Sequence, residues 1–175
     1  MKRVVINVIH HTDKLTDIEA NNLKRLVTLN DNKRDIVFIL PKSFSSSYLK
    51  KKYKSINFYF VDNNLLSSAK EYNKFLITKK YYNIFYGYEY LLVYQLDTWV
   101  FSLDFEYFMD LGFDLIGAPI FSENRHLEIE IINGCNGGIS LRKLQSFKRI
   151  LDKPFFFNLN SLYCDIGFGN HLNEP

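Results

Sequence analysis

Residues 90–99 read Tyr90-Leu91-Leu92-Val93-Tyr94-Gln95-Leu96-Asp97-Thr98-Trp99. The first five of these residues are apolar or aromatic, which predicts a strand that is buried on both faces of a sheet. Asp97 comes just past the end of that strand. In an open α/β sheet this position is the carboxyl edge, where ligands bind. The stretch therefore predicts a central strand followed by a carboxylate at a ligand-binding edge.

Strand and helix signals alternate around this stretch. Thr16 and Glu19 have the spacing of a capping box, which predicts the start of a helix. Such alternation is typical of βαβ units and a mainly parallel sheet. We therefore expect an α/β fold, a single Rossmann-like domain over residues 1–175 with a mainly parallel central sheet flanked by helices. The predicted strands are 4–9, 35–40, 56–61 and 90–95. Four helices are predicted between them: one begins after residue 16, one spans 45–52, one begins after residue 67 or 68, and one spans 80–86.

Beyond Asp97 the pattern is looser. Pro119 is predicted to close a short strand over 115–117, and the polar residues 121–130 predict a loop. Gly137 and Gly138 predict a tight turn between short strands at 131–132 and 139–141, because glycine favours turns. Further helices are predicted over 103–111, 143–151 and 162–172.

Composition limits the classes of function. A chain of 175 residues that is 47% hydrophobic fits one domain with a core. The net charge of +3 is mildly basic, and nucleic-acid binding, which needs a basic stripe and a recognisable module, is not expected. The densest basic cluster, residues 50–54, is either a solvated helix end or a peripheral contact with an anionic membrane surface.

The expected location follows from the cysteines and the apolar runs. Cys135 and Cys164 have no metal-ligand spacing and form no disulfide framework. The first residues do not form a signal peptide, and no run approaches the roughly 20 apolar residues of a membrane span. We therefore expect a cytoplasmic protein, peripheral to the inner face of the membrane if the basic cluster makes that contact.

Asp97 is the first candidate for chemistry. A nucleoside diphosphate leaving group carries negative charge, which a divalent cation held by a carboxylate at the strand end neutralises. We therefore predict Asp97 as a ligand of Mn²⁺ or Mg²⁺. Gln95 is an amide, which can hydrogen-bond the ribose or the base of a nucleotide-sugar donor but adds no negative charge to the site. The alternative is that Asp97 caps the turn after the strand.

Asn136-Gly137-Gly138 is the second candidate. Adjacent glycines let the backbone approach a ligand closely, because no Cβ intervenes. Their amides can face a sugar hydroxyl or a phosphate of the donor. The alternation in the following residues places Ser140 and Arg142 on one face, and Arg142 can pair with a phosphate or with a carboxylate of the site. The alternative is a plain turn between two strands.

Five further polar residues complete the set. Asp165 can act as the general base for an acceptor hydroxyl, and His171 can be a metal ligand, although each alone can also be structural. His10 and His11 follow the first predicted strand, where the base of a donor nucleotide would lie. Neighbours on an extended chain point to opposite sides, so we expect only one of them, assigned as His10, to face a pocket. Asp114 either borders a ligand or packs in the interior.

Six stretches of the chain occur in the order of a known family pattern. That pattern is Thr-x-x-Glu, Tyr-Asn, Tyr-Glu-Tyr before a hydrophobic strand, Gln-x-Asp, Asp-Tyr-Ile-Gly-Ala-Pro-Trp and Asn-Gly-Gly-x-Ser-Leu-Arg. The matching residues are 16–19, 72–73, 88–90, 95–97, 114–120 and 136–142. Over nearly its whole length the chain thus resembles a glycosyltransferase-like domain family of bacterial polysaccharide loci, domain of unknown function 5672.

That family is similar to nucleotide-sugar transferases of the GT-A type, so the resemblance implies a GT-A-type domain. It implies that Asp97 takes the metal and diphosphate, that Asn136-Gly137-Gly138 lines the donor sugar or the acceptor, and that Asp165 is the retained acid. The chain departs from the pattern where Cys164 replaces a Glu and Ile120 replaces a frequent Trp. Family members continue past this length, so we expect the chain to lack the family's C-terminal segment.

Three functions remain open at this point. The first is a glycosyltransferase of bacterial surface polysaccharide synthesis, with a nucleotide-sugar donor and a glycan or lipid-linked acceptor. The second is a non-catalytic module that binds a nucleotide or a carbohydrate, favoured by Gln95 and Cys164 in place of acids. The third is a subunit that docks on a larger transferase through its aromatic surface. No phosphate-binding P-loop, dinucleotide fingerprint or nucleophile elbow occurs, which argues against kinases, dehydrogenases and hydrolases.

Overall fold

The computed structural model describes residues 2–123 and 129–152 and shows a mixed α/β fold. The strands are β1 (Lys2–Ile9), β2 (Asp35–Pro41), β3 (Ile56–Val61), β4 (Tyr88–Tyr94), β5 (Leu115–Glu123) and β6 (Ile129–Lys143). The α-helices are α1 (Asp17–Asn30), α2 (Ser47–Lys52), α3 (Ala69–Leu76), α4 (Lys79–Asn83), α5 (Glu106–Asp110) and α6 (Leu144–Asp152), and a 3-10 helix spans Asn63–Leu66.

The first helix, α1, begins at the predicted capping box. The hydroxyl of Thr16 accepts from the backbone N–H of Glu19, and the carboxylate of Glu19 accepts from the backbone N–H of Thr16 at 2.8 Å. The helix ends where Asp31 takes a left-handed backbone conformation, with φ of 44°. Leu23 and Leu26 are fully buried and hold the helix against the sheet. The prediction of this helix is confirmed.

The six strands form one sheet in the order β3-β2-β1-β4-β6-β5. The strands β1, β2, β3 and β4 run parallel, whereas β6 is antiparallel to its neighbours β4 and β5. The expected α/β fold, with a mainly parallel sheet flanked by helices, is confirmed. The strand β4 lies in the interior of the sheet, and its residues 90–94 are all buried, as predicted.

The glycine-rich stretch is not a turn. It lies inside the long strand β6, and β5 continues to Glu123, so the predicted turn, the short strands and part of the predicted loop are wrong. The strand β6 is longer than β5, and its additional residues are accommodated at two shifts in the pairing register, between Gly117 and Ala118 and between Pro119 and Ile120. Pro119 does not end β5, because this strand lies at the edge of the sheet, where a missing N–H is tolerated.

The other helices lie near their predicted places. The helices α2 and α5 are shorter than the predicted 45–52 and 103–111, and α6 is shifted by one residue from 143–151. The helix predicted over 162–172 lies outside the described residues. In residues 2–123 and 129–152, no helix has the length and apolar character needed to cross a membrane.

Apolar side chains cover both faces of the sheet. Successive residues of a strand point to opposite faces, so Val4, Ile6 and Val8 of β1 join the cluster that includes residues of α1, α2 and α5. Val5 joins the second cluster, with residues of α3, α4 and α6. Because helices cover both faces of the central strands, the ends of these strands are the part of the sheet that a ligand can reach.

Candidate functional site

A cleft of about 460 Å³ lies at the carboxyl ends of β1 and β4. These strands are neighbours, but the chain leaves β1 toward β2 on one side and later returns to β4 on the other. Such a reversal leaves a crevice between the connections, the usual ligand site of open α/β sheets. The volume suits a small molecule. The cleft is lined by the N-cap and first residue of α3, Ser68 and Ala69, together with His10, His11, Glu19, Tyr72, Gln95 and Asp97.

The imidazole of His10 is fixed in the wall of the cleft. Its Nε2 lies 2.9 Å from Oε1 of Glu19, and its Nδ1 lies 2.7 Å from the carbonyl oxygen of Thr12. Partial burial by itself would raise the pKa of Glu19, but the hydrogen bonds from His10 and Thr16 outweigh it and lower this pKa. Both ring nitrogens of His10 are therefore engaged by the protein. His10 lines the cleft, and its role in donor binding stays a prediction.

The side chain of His11 also lies in the cleft. Its ring is exposed and stacks on the ring of His10, with centroids 5.0 Å apart and planes 20° from parallel. The expectation that only one of the two histidines faces a pocket is wrong. The strand β1 ends at Ile9, so the alternation of an extended chain does not apply to the residues after it. His11 therefore adds an aromatic surface to the cleft.

The opposite side of the cleft is formed by the turn after β4. The backbone N–H of Thr98 donates to the carbonyl oxygen of Gln95 at 3.1 Å, and the hydroxyl of Tyr94 donates to the carbonyl oxygen of Thr98. The side chain of Gln95 donates to the hydroxyl of Tyr72 at 3.3 Å. Asp97 is exposed at this turn. In the part of the chain that the structure describes, its carboxylate caps no backbone N–H and has only the hydroxyl of Thr98, at 3.4 Å.

The phenols near Asp97 are protonated at neutral pH. Burial, together with the smaller effect of the negative charge of Asp97, raises the pKa of Tyr94 to about 12. Burial likewise raises the pKa of Tyr72 above its ordinary value. Both side chains therefore act as neutral hydrogen-bonding groups, and Asp97 is the exposed carboxylate of this side of the cleft.

Asn136, Gly137 and Gly138 lie beside the cleft without lining it. The backbone N–H of Gln95 donates to the carbonyl oxygen of Gly138 at 2.8 Å, and the N–H of Gly138 donates to Oδ1 of Asn136 at 2.7 Å. A Cβ added at Gly138 would lie 2.6 Å from Oε1 of Gln95, closer than non-bonded atoms approach. The glycine at this position thus makes room for the amide that lines the cleft.

Arg142 is buried, with 1% of its surface exposed. Its Nε donates to the hydroxyl of Ser140 at 3.1 Å and its Nη1 to the hydroxyl of Tyr82 at 2.9 Å. The predicted shared face of Ser140 and Arg142 is confirmed. Arg142 does not line the cleft, and the phosphate contact predicted for it stays a prediction. Within residues 2–123 and 129–152, its Nη2 has no hydrogen-bond partner and no carboxylate pairs with it.

The remaining candidates divide into two groups. Asp114 is exposed, so it does not pack in the interior, and it does not line the cleft; its carboxylate accepts a hydrogen bond from the hydroxyl of Ser146 in α6. Asp165 and His171 lie outside the described residues, so their predicted roles as base and metal ligand stay predictions. Among the described residues, no group of three or more His, Cys, Asp or Glu side chains could hold a metal ion.

Glu19 and Tyr72 are among the cleft residues that were not predicted as site residues from the sequence. Glu19 carries a capping signal, and that signal accounts for its identity without any reference to a ligand. Tyr72 was given no role in the site from the sequence. Its place in the Tyr-Asn motif of the family pattern was the available sign of such a role.

The comparisons with known proteins add one result. A family model described as Protein of unknown function (DUF5672) matches residues 55–165. No curated protein matches the chain. The matched region contains β4, the turn that carries Gln95 and Asp97, and all of β6, whereas His10 and Glu19 precede it.

Proposed function

Because the chain belongs to the DUF5672 family, whose function is unknown, its own cleft has to indicate its activity, and we propose that it is a glycosyltransferase with a nucleotide-sugar donor. The observation that carries this proposal is the exposed carboxylate of Asp97 beside the amide of Gln95, at the crevice between β1 and β4. The ordered motifs that resemble a GT-A-like family support it. The proposed acceptor is a glycan or a lipid-linked glycan of bacterial surface polysaccharide synthesis, in the cytoplasm.

Asp97 suits the role of the protein carboxylate that binds the cation in a metal–diphosphate site. Magnesium in nucleotide sites is usually held by one or two carboxylates together with the phosphates of the substrate. Asp97 is exposed, and no Lys or Arg of the described residues lies within ion-pair distance of it. When bound there, Mn²⁺ or Mg²⁺ supplies neutralisation of the charge that develops on the leaving diphosphate.

The other lining residues suit a nucleoside diphosphate. The stacked imidazole of His11 offers an aromatic face to a base, and the amide of Gln95 can hydrogen-bond a base or a ribose. Ser68 and Ala69, at the start of α3, also line the cleft. The amino end of a helix carries partial positive charge, which favours a phosphate nearby.

In this proposal Asp165 accepts the proton of the attacking acceptor hydroxyl as general base. The assignment rests on the resemblance, in which the family carries two acids where this chain has Cys164 and Asp165. Its expected consequence is specific. Asp165→Asn should abolish transfer while leaving nucleotide affinity unchanged, because the residue acts on the acceptor rather than on the donor.

A second candidate, a non-catalytic nucleotide- or carbohydrate-binding module, is favoured by one observation. Gln95, which stands where an acid is usual, donates a hydrogen bond to Tyr72 and is built into the wall of the cleft. An amide there lowers the negative charge available for a metal but keeps polar contacts for a ligand. This candidate predicts binding of the donor without release of sugar.

A donor panel separates the two candidates. The full chain is incubated with UDP-, GDP-, dTDP- and CDP-sugars in the presence of Mn²⁺, and the release of the nucleoside diphosphate is measured. A glycosyltransferase releases nucleotide from at least one donor, and Asp97→Asn abolishes this release while Asp31→Asn, an exposed acid that ends α1, leaves it intact. Binding without release supports the second candidate, and the absence of both release and binding contradicts both.

A further inference from the structure

A cluster of lysines lies on α2 and the turn that follows it. Lys50, Lys51, Lys52 and Lys54 are all exposed. Among the described residues, no carboxylate lies within ion-pair distance of any of these four lysines. We call these four residues the lysine face.

The packing of α2 turns the lysine face outward. Leu49 and Tyr53, one helical turn apart, are only 2% and 7% exposed and fix the helix to the core. The ring of Tyr48 is 66% exposed, and Nζ of Lys52 lies 5.6 Å from its centroid. Nζ of Lys50 lies 5.1 Å from the ring centroid of Phe60 on β3. The face therefore combines ammonium groups with an exposed amphipathic ring.

Helix stability does not fully explain these lysines. Cations in the last turn of a helix stabilise its carboxyl end, which accounts for residues 50–52 of α2. Lys54 comes after the helix and adds to the charge without that benefit. The groove beside α2 is not an anion site of its own, because Asp13 and Asp17 line it together with Lys14 and Lys52.

We propose that the lysine face docks on the surface of an anionic lipid bilayer. Clustered lysines are attracted to anionic headgroups, and a tyrosine with an apolar ring and a polar hydroxyl suits the interface between water and lipid. A nucleic acid fits less well, because a single short helix gives a compact patch rather than a basic stripe on a recognition module. None of the lysine face lines the cleft, so the proposal stands independently of the proposed activity.

Sedimentation of the full chain with vesicles tests this docking. The vesicles are phosphatidylcholine alone or phosphatidylcholine mixed with phosphatidylglycerol. The test variant is Lys51→Gln with Lys54→Gln, because among the described residues the ammonium groups near aromatic rings on this face are those of Lys50 and Lys52. The matched control is Lys24→Gln with Lys33→Gln, which removes the same charge from exposed positions on and after α1. Urea unfolding of each variant checks that the fold is kept.

The docking predicts binding to the anionic vesicles that weakens with added salt and is absent with phosphatidylcholine alone. Each lysine near an anionic surface contributes about 1 kcal/mol, so the test variant should bind roughly 30-fold more weakly. The control should lose far less. No binding to anionic vesicles, or equal losses for the two variants, overturns the proposal. So does wild-type binding to duplex RNA or DNA that the test variant alone loses, with vesicle binding unchanged.

Discussion

The buried guanidinium of Arg142 depends on a single phenol for one of its two hydrogen bonds. Its Nη1 donates to the hydroxyl of Tyr82 at 2.9 Å, and its Nε donates to Ser140 at 3.1 Å. The guanidinium is only 1% exposed, so water cannot replace a lost partner. The substitution Tyr82→Phe keeps the ring and removes only the acceptor.

The expected cost follows from the charge on the donor. A hydrogen bond to a charged group contributes about 1.5–3 kcal/mol, against about 0.5–1.5 kcal/mol for a neutral one. Tyr82→Phe should therefore lower the free energy of unfolding by about 2–3 kcal/mol. For a chain of this size each kcal/mol shifts Tm by about 2–4 °C, so a fall of roughly 4–12 °C is expected.

Tyr90→Phe is the matched control. Tyr90 is also 1% exposed, and its hydroxyl donates to the carbonyl oxygen of Met109 at 3.1 Å, a bond between neutral groups. Urea unfolding of both variants gives their free energies of unfolding, and an unchanged m value shows that unfolding exposes a comparable surface in each. A cost for Tyr82→Phe that is no larger than that for Tyr90→Phe would refute the reasoning about Arg142.

Two further predictions concern the walls of the cleft. Gly138→Ala should displace the amide of Gln95 and weaken nucleotide binding by up to about tenfold, the equivalent of one hydrogen bond. Titration calorimetry measures this affinity, and an unchanged value would show that Gly138 does not position Gln95 for binding. The folded pKa of Glu19 is lowered, so its contribution to stability is complete above the unfolded value of 4.5 and is lost as the pH falls through the folded value. Wild type should therefore lose more stability from about pH 5 to about pH 3 than Glu19→Gln does, and equal losses in urea unfolding would contradict this.

The parts of the fold that local signals determine were predicted from the sequence. The capping box at Thr16 starts α1, and the apolar run 90–94 forms a buried strand, because each signal lies within a few residues of the element it specifies. The glycine-rich stretch was mistaken for a turn for the same reason. Glycine favours turns locally, whereas pairing with β4 on one side and β5 on the other keeps residues 129–143 in one strand.

The candidate site likewise contains residues that the local sequence predicts and residues whose placement depends on distant parts of the chain. Asp97 and Gln95 could be placed at the carboxyl edge of the sheet because they directly follow a recognisable strand. The burial of Arg142 could not be predicted, since it depends on Tyr82, which is 60 residues away in the chain. The presence of both His10 and His11 in the lining of the cleft depends on where β1 ends, and residue type alone does not fix a strand boundary to within a residue or two.

The claim on which the proposed activity rests is that Asp97 holds a cation together with a bound diphosphate. The direct measurement is the Kd of UDP, GDP, dTDP and CDP with and without Mn²⁺, for wild type, Asp97→Asn and the control Asp31→Asn. We predict that Mn²⁺ tightens the binding of at least one nucleotide by about tenfold or more, or about 1.4 kcal/mol, in wild type and the control but not in Asp97→Asn. Metal-dependent binding that survives Asp97→Asn, or no nucleotide binding to wild type, would contradict the claim.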